Sequence, residues 1–393
     1  MSFGILAMIV LAGLAGPLLA AGKRPLVPVV VGELAAGVVI GVSGFRWLDP
    51  TQPTIAFLAQ IGFAMLMFAA GMSVPLREPG LVSGLRRGGV TAVVAALLAV
   101  PFGIVASRAT GAHHAAVYAL LLASGSAAIL LPALKEHGLM GDQRALTVMA
   151  QVALADIAAI VALPLVLQPG HALRAALGGL LVAVCVLLLY GATRLLHGRP
   201  WVQEVRRWSK KRGWALDLRL SLLVLFGLVW IAQRSGTSAL IAGFGAGLMV
   251  AAIGGPKRLS RQVAGVATGF MVPIFFVVLG ARLDVRSLWQ HPSLIVLAAL
   301  LLTANAFVHV CAALLTRQSL GAGFAATAQL GVPAAVVTLG LEQHVLTSGE
   351  GSAIVAAALG SLALTSAGVA MLGRRAPPPG APADQAEATA AAT

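Results

Sequence analysis

The chain has 393 residues, of which 59% are hydrophobic and only 10% charged, with a mean hydropathy of +0.94. Soluble domains average about 25% charged residues, so a water-soluble fold is excluded and an integral membrane protein with many spans is indicated. A formal net charge of +14 would suggest nucleic acid in a soluble protein, but here the basic residues sit in short loops between apolar runs, where membrane topology accounts for them and no nucleic-acid partner is expected.

A helix crossing the hydrocarbon core needs about 20 residues. Cutting the chain at its polar and Gly/Pro interruptions gives thirteen candidate spans, near 3–21, 27–44, 54–74, 88–107, 114–134, 145–167, 173–194, 216–233, 237–253, 265–283, 293–315, 320–341 and 351–373. The first, Phe3–Ala21, has no basic stretch before it and reads as a membrane helix rather than a cleaved signal. If the loops alternate sides, 21 Lys and Arg fall on one side and 6 on the other, out of 27. The positive-inside rule then puts the N-terminus outside and the C-terminus in the cytoplasm of a multi-pass cell-membrane protein. The most basic connection, Gly198–Gly213, carries Trp201 and Trp208 beside charged positions, as in a helix lying on the inner membrane surface; a solvated linker is the plainer reading. Residues 374–393, rich in Pro and Ala, read as a disordered cytoplasmic tail with no regulatory domain after the membrane part. Cys185 and Cys311 read as small core residues.

Two spans look broken. The fifth contains Ser124, Gly125, Ser126 and then Pro132, and the twelfth combines Gln329, Gly331, Pro333, Thr338 and Gly340. Small hydroxyl residues allow close approach, and proline removes a backbone donor. Their odd offset gives the two spans opposite orientation, as an inverted repeat requires, and interrupted helices of this kind meet at ion sites near the midplane. Simple packing kinks are the competing reading.

Asp156 lies at the centre of the sixth span, Ala145–Leu167, and reads as the only carboxylate set deep in an apolar run. A charge there costs at least ~2.5–3.5 kcal/mol, so such a residue usually binds an ion or relays a proton; a buried Asp that merely hydrogen-bonds a neighbouring helix is the alternative. Gln151 precedes it by five positions and sits on a different part of the helix surface. Asn305 and His309, four apart on the eleventh span, share a face. His309 reads either as a neutral hydrogen-bond donor or as a charge that falls as pH rises, which would make it a pH sensor. The pair His113 and His114 reads as a solvated helix start. No paired carboxylates, Ser/His/Asp set, metal cluster or phosphate loop appears, so neither an enzyme nor a cofactor is expected.

Across nearly the whole membrane part the chain resembles the monovalent cation:proton antiporter superfamily, in particular the bacterial branch of potassium-efflux and sodium/proton exchangers. The likeness rests on Pro28 through Gly32, Glu33, Leu34, Gly37 and Gly41; on Gly62 to Met72; on Ser124–Pro132 followed by Leu134, Lys135 and Glu136; on Ala155 to Ile160; and on Pro273 through Phe276, Gly280 and Asp284. It implies an all-α polytopic fold with inverted repeats, two broken helices crossing near Asp156, and a homodimer. A dimer panel would comprise about 3–74 and 216–283, an ion-carrying core about 88–167 and 293–373, and a linker helix 173–194. It further implies exchange of Na⁺ or K⁺ for H⁺ by an elevator-like core motion, with Asp156 as the cation and proton ligand. This chain departs from the pattern in having Ala155 where Asp, Asn or Gln usually precedes the ion-binding Asp, and Val308 or His309 where many members carry Lys or Arg.

One carboxylate suffices in principle. A buried Asp carries either a proton or a cation across the low-dielectric barrier, and one site for both couples the fluxes. The simplest stoichiometry is then one for one, hence electroneutral. Further oxygens for the cation are expected from carbonyls at the helix breaks and from Ser124, Ser126 and Thr338. Readings of other classes are a passive channel or a transporter of a small organic solute on the same plan.

Overall fold

Where no water reaches the backbone, a spanning segment must satisfy its own N–H and C=O groups, and apolar runs therefore fold as helices. The computed structural model describes residues 2–21, 28–74, 76, 81–197, 199–254, 262, 263 and 265–374. Among these residues the regular structure is entirely helical: α1 (Phe3–Gly13), α2 (Ala15–Ala20), α3 (Val29–Ile40), α4 (Pro53–Ser73), α5 (Leu81–Thr110), α6 (Ala115–Ala123), α7 (Ala127–Glu136), α8 (Gln143–Leu167), α9 (Ala172–His197), α10 (Pro200–Arg212), α11 (Leu216–Ser235), α12 (Ala239–Ile253), α13 (Val272–Arg282), α14 (Arg286–Gln290), α15 (Pro292–Leu315), α16 (Leu320–Ala325), α17 (Gly331–Glu342) and α18 (Ser348–Gly373). Ten stretches among the described residues are long and apolar enough to cross a membrane. The second, ninth and twelfth predicted spans coincide with shorter apolar helices, α3, α12 and α17. Large apolar side chains such as Leu18, Leu177, Leu195 and Trp230 face outward, as a bilayer requires.

Helix ends are closed by local chemistry. Asp142 accepts from the Arg144 N–H at the start of α8, and Thr347 and Glu350 form a reciprocal capping box at the start of α18. The basic connection forms the helix α10, most of whose described side chains are exposed, and it ends at Gly213 in the left-handed region. The tenth span contains a π-helical turn, Ala267–Met271, before α13. The predicted tail lies outside the described residues beyond Arg374. Cys185 and Cys311 are unpaired and only half-buried, so neither is the core residue expected.

Several helix crossings among the described residues are made by backbone contact, α3 with α13 and α4 with α12 among them. A Cβ on Gly37 of α3 would collide with the Val277 carbonyl of α13, and one on Gly280 of α13 with the Leu34 carbonyl of α3. The same reciprocity joins α4 and α12: Gly71 meets the Phe244 carbonyl, and Gly247 meets the Phe68 carbonyl. Small residues are the means by which membrane helices approach closely. Elsewhere α8 packs on α5, α6 and α7, α15 packs on α5 and α18, and α16 packs on α15 and α18.

Replacing Gly280 by Val should lower the thermal stability of the detergent-solubilised protein by roughly 1–3 kcal/mol, the usual cost of forcing extra methyls into a filled contact. Gly191 in α9 has nothing within 4 Å of its would-be Cβ, so Gly191→Ala should be neutral or stabilising by up to about 1 kcal/mol. Unfolding midpoints of the two variants check both expectations.

Candidate functional site

The fifth predicted span is two helices. α6 stops at Ala123, residues 124–126 are non-helical, and α7 begins at Ala127. The break falls at the Ser-Gly-Ser triplet, while Pro132 sits inside α7. The twelfth span is likewise divided, with α16 ending at Ala325 and α17 starting at Gly331. Non-helical backbone is tolerated at membrane depth only where protein covers it, and Ser124, Ser126, Thr327, Ala328 and Gln329 are all buried.

Asp156, 5% exposed, projects from the middle of α8 toward the first break. Its Oδ2 accepts a hydrogen bond from the Ala127 N–H at 3.3 Å. Ala127 is the first residue of α7, so the carboxylate faces the positive end of that half-helix, where unsatisfied N–H groups stabilise negative charge. Among the described residues Asp156 forms no ion pair with Lys, Arg or His. The helix end is its electrostatic partner.

A second set of buried groups holds the breaks to their neighbours. Gln329 Nε2 donates to the Leu121 carbonyl at 2.6 Å and to Asn305 Oδ1 at 3.0 Å. Asn305 Nδ2 in turn donates to the Thr327 carbonyl at 3.0 Å. One glutamine thus ties the end of α6, the face of α15 and the second break together. Gln151 Nε2 lies 3.5 Å from His309 Nδ1, linking α8 to α15. His309, 1% exposed, also packs against the backbone of Leu122 and Ser124, yet its Nε2 and Gln151 Oε1 make no hydrogen bond.

Of the eight predicted site residues, the structure therefore connects Gln151 with His309, and Asn305 with Gln329, while Asp156 faces the first break. Ser124 belongs to the same break, but its hydroxyl donates to its own Leu121 carbonyl at 2.7 Å. Ser126 occupies the position before α7 without making a capping bond. Thr338 is buried with its hydroxyl given to Ala334 of its own helix at 2.7 Å. No contact brings it to Asp156.

Three groups escaped the sequence reading. Glu33, 3% exposed in α3, is a second carboxylate deep in an apolar helix, which corrects the expectation that Asp156 stands alone. Its Oε2 has no hydrogen-bond partner, and its Cγ packs close to Gly16 of α2. Thr327 and Thr365 share a hydrogen bond at 3.2 Å, fastening the second break to α18. His114 stands at the start of α6 as expected but has a partner there: its Nε2 lies 3.7 Å from Glu350, which also accepts from Tyr118 at 3.3 Å. Glu33 was legible in principle, since it lies inside a run of apolar residues; the other two depend on which helices meet. Among the described residues no group of three or more His, Cys, Asp or Glu could hold a metal ion.

The transmembrane sodium/hydrogen exchanger family matches residues 6–374. The chain belongs to that family. The chain is 23% identical over 363 residues to the putative Na⁺/H⁺ antiporter YjbQ of Bacillus subtilis, covering 85% of this chain but 57% of that protein, so the chain spans little more than half of that relative's length. It is 24% identical to the Na⁺/H⁺-K⁺ antiporter GerN of Bacillus cereus, over 70% of this chain and 71% of the relative. It is 27% identical to the glutathione-regulated potassium-efflux protein KefC of Klebsiella pneumoniae, over 68% of this chain and 43% of the relative. The fold matches that of the sodium proton antiporter MjNhaP1 from Methanocaldococcus jannaschii with a TM-score of 0.59 at 14% identity, covering 95% and 96% of the two chains. A member of this family with this fold is a multi-pass membrane protein.

Substituting Gln329 by Leu would deprive Asn305 Oδ1 of its donor, and a buried acceptor left unpaired costs roughly 1–3 kcal/mol. Thr338→Val removes only an intrahelical hydroxyl bond and should cost less than about 1 kcal/mol. Thermal unfolding of the two purified exchanger variants should rank them in that order.

Proposed function

We propose that this exchanger moves Na⁺ or K⁺ one way and H⁺ the other, with Asp156 as the shared ligand. The single observation that carries the reading is the setting of Asp156: a buried carboxylate, without an ion-pair partner among the described residues, at the start of the half-helix α7. A bare carboxylate in such surroundings is costly, so it holds a proton or a cation. Binding the cation needs the ionised carboxylate and therefore displaces the proton. The loaded and protonated forms are both neutral at this residue and can cross the barrier, whereas the empty anion cannot, which couples the two movements.

The cation needs oxygens besides Asp156. We assign them to the carbonyls at the breaks after α6 and α16, with Ser124 and Ser126, while Thr338, bonded within its own helix, is a weaker choice. The proposal includes an elevator-like motion of a core near 88–167 and 293–373 against a panel near 3–74 and 216–283, with 173–194 as the link. The backbone-tight crossings α3–α13 and α4–α12 support a rigid panel, and the Gln329 bonds to Leu121 and Asn305 support a core that moves as one piece. We further place the N-terminus outside and the C-terminus in the cytoplasm of a homodimer in the cell membrane. One carboxylate, with Ala155 beside it, gives one cation per proton and hence electroneutral exchange.

In proteoliposomes holding a pH-sensitive dye, added Na⁺ or K⁺ should drive proton movement through the wild type, and Asp156→Asn should abolish it while the protein remains folded. Retained exchange in the variant rejects Asp156 as the ligand; conductance without proton movement would instead mean a channel. Imposing a membrane potential should leave the exchange rate unchanged, and a rate that follows the voltage rejects the one-for-one stoichiometry.

A further inference from the structure

Helix α10 has an arrangement that ion exchange does not use. It follows α9 and precedes α11, and its sequence places five basic residues, Arg206, Arg207, Lys210, Lys211 and Arg212, against one acid, Glu204. Trp201, Val205 and Trp208 recur at spacings of four and three and so share one side of the helix; Arg207 lies off that side, and Lys211, three after Trp208 and four after Arg207, sits at the border between the two. The two indoles are largely uncovered by protein, at 58% and 49% exposure.

The helix is held in place rather than left to rotate. Ser209 is buried and its Oγ accepts from the Leu216 N–H at 3.1 Å, at the start of α11. Arg206 lies 3.5 Å from Asp217 of α11, and Arg212 stacks over Trp214 at 5.2 Å. These contacts fix which side of α10 meets α11, and they leave the Trp side and the Arg207–Lys211 side open. A helix with an aromatic side and a basic side, fastened next to membrane spans, matches the interface of a bilayer: indoles settle at headgroup depth, and each Lys or Arg gains from anionic lipid.

We infer that α10 is a docking helix for the headgroups of anionic phospholipids, Trp201 and Trp208 entering the interface while Arg207 and Lys211 meet lipid phosphates. Arg206, already engaged by Asp217, serves to orient the helix. The inference rests on the membrane setting of the chain and not on which ion it carries. Because α10 joins α9 to α11, headgroup binding there would brace the junction between two spans.

The test uses the intact protein in neutral detergent doped with phosphatidylglycerol or with phosphatidylcholine. Phosphatidylglycerol should raise the unfolding temperature of the wild type and phosphatidylcholine should not. The double variant Arg207→Gln, Lys211→Gln should lose that difference, needing about tenfold more anionic lipid or more for the same shift. Soluble glycerol phosphate at equal concentration should have no effect; a shift with it would mean a phosphate site and overturn the lipid docking. In vesicles, brominated phosphatidylglycerol should quench wild-type tryptophan fluorescence more than Trp201→Phe, Trp208→Phe does. An unchanged phosphatidylglycerol shift in the Arg207/Lys211 variant, or equal quenching in the Trp variant, overturns the proposal. If the Arg207/Lys211 variant fails to fold, Arg207→Gln and Lys211→Gln are scored separately by the same shift. None of these readouts measures ion exchange, so their failure leaves the exchange reading standing and the converse also holds.

Discussion

Two helices stop partway through an apolar surrounding, and the backbone groups exposed at those stops must be satisfied where water is scarce. That constraint organises the whole centre of the molecule. The Leu121 carbonyl at the end of α6 receives the Ser124 hydroxyl and the Gln329 amide, and the Thr327 carbonyl near the end of α16 receives Asn305. At the start of α7 an N–H is answered by Asp156. The same missing hydrogen bonds that make a broken helix costly help a buried carboxylate to be tolerated beside it. Site and fold are thus one solution to one problem.

The polar groups at the centre divide into those that are spent and those that are free to react. Gln329, Asn305 and Thr327 have donors and acceptors matched, which makes them structural ties. Asp156 has a single hydrogen bond from Ala127, and Gln151 Oε1 and His309 Nε2 have none. Chemistry belongs with the second group, because an unmatched buried polar atom is the one that gains from a proton or an ion. Glu33 shares this property at a distance in chain order, on α3 close to Gly16 of α2.

The tight glycine crossings serve a different purpose. Between apolar helices in lipid there is little hydrophobic gain in association, so close packing carries the attraction. Gly37 with Gly280, and Gly71 with Gly247, bring carbonyls of one helix against the backbone of the next. The broken helices are packed in the same way: a Cβ on Gly368 of α18 would meet the Ala325 nitrogen of α16, and one on Gly103 of α5 the Ala115 carbonyl of α6. To that close packing they add the side-chain hydrogen bonds of Gln329 and Asn305.

Much of this was legible beforehand because lipid leaves the chain few options. Long apolar runs had to be helices, the small and hydroxyl residues of 124–126 had to interrupt one, and a central Asp156 had to have a use. The basic, Trp-bearing stretch after α9 could be read two ways, and only the contacts of Ser209 and Arg206 with α11 show it as a fastened helix. Glu33 was passed over because it sits in a motif read for its glycines. What sequence could not contain is which side chains meet: that Ala127 offers its N–H to Asp156, that Gln329 reaches Leu121 from some 200 positions away, or that His114 finds Glu350. Composition and periodicity determine that segments become helices, since that depends on each segment and its solvent alone. Pairing between distant helices is decided by tertiary packing, because it depends on relative height, rotation and the backbone groups each break leaves open.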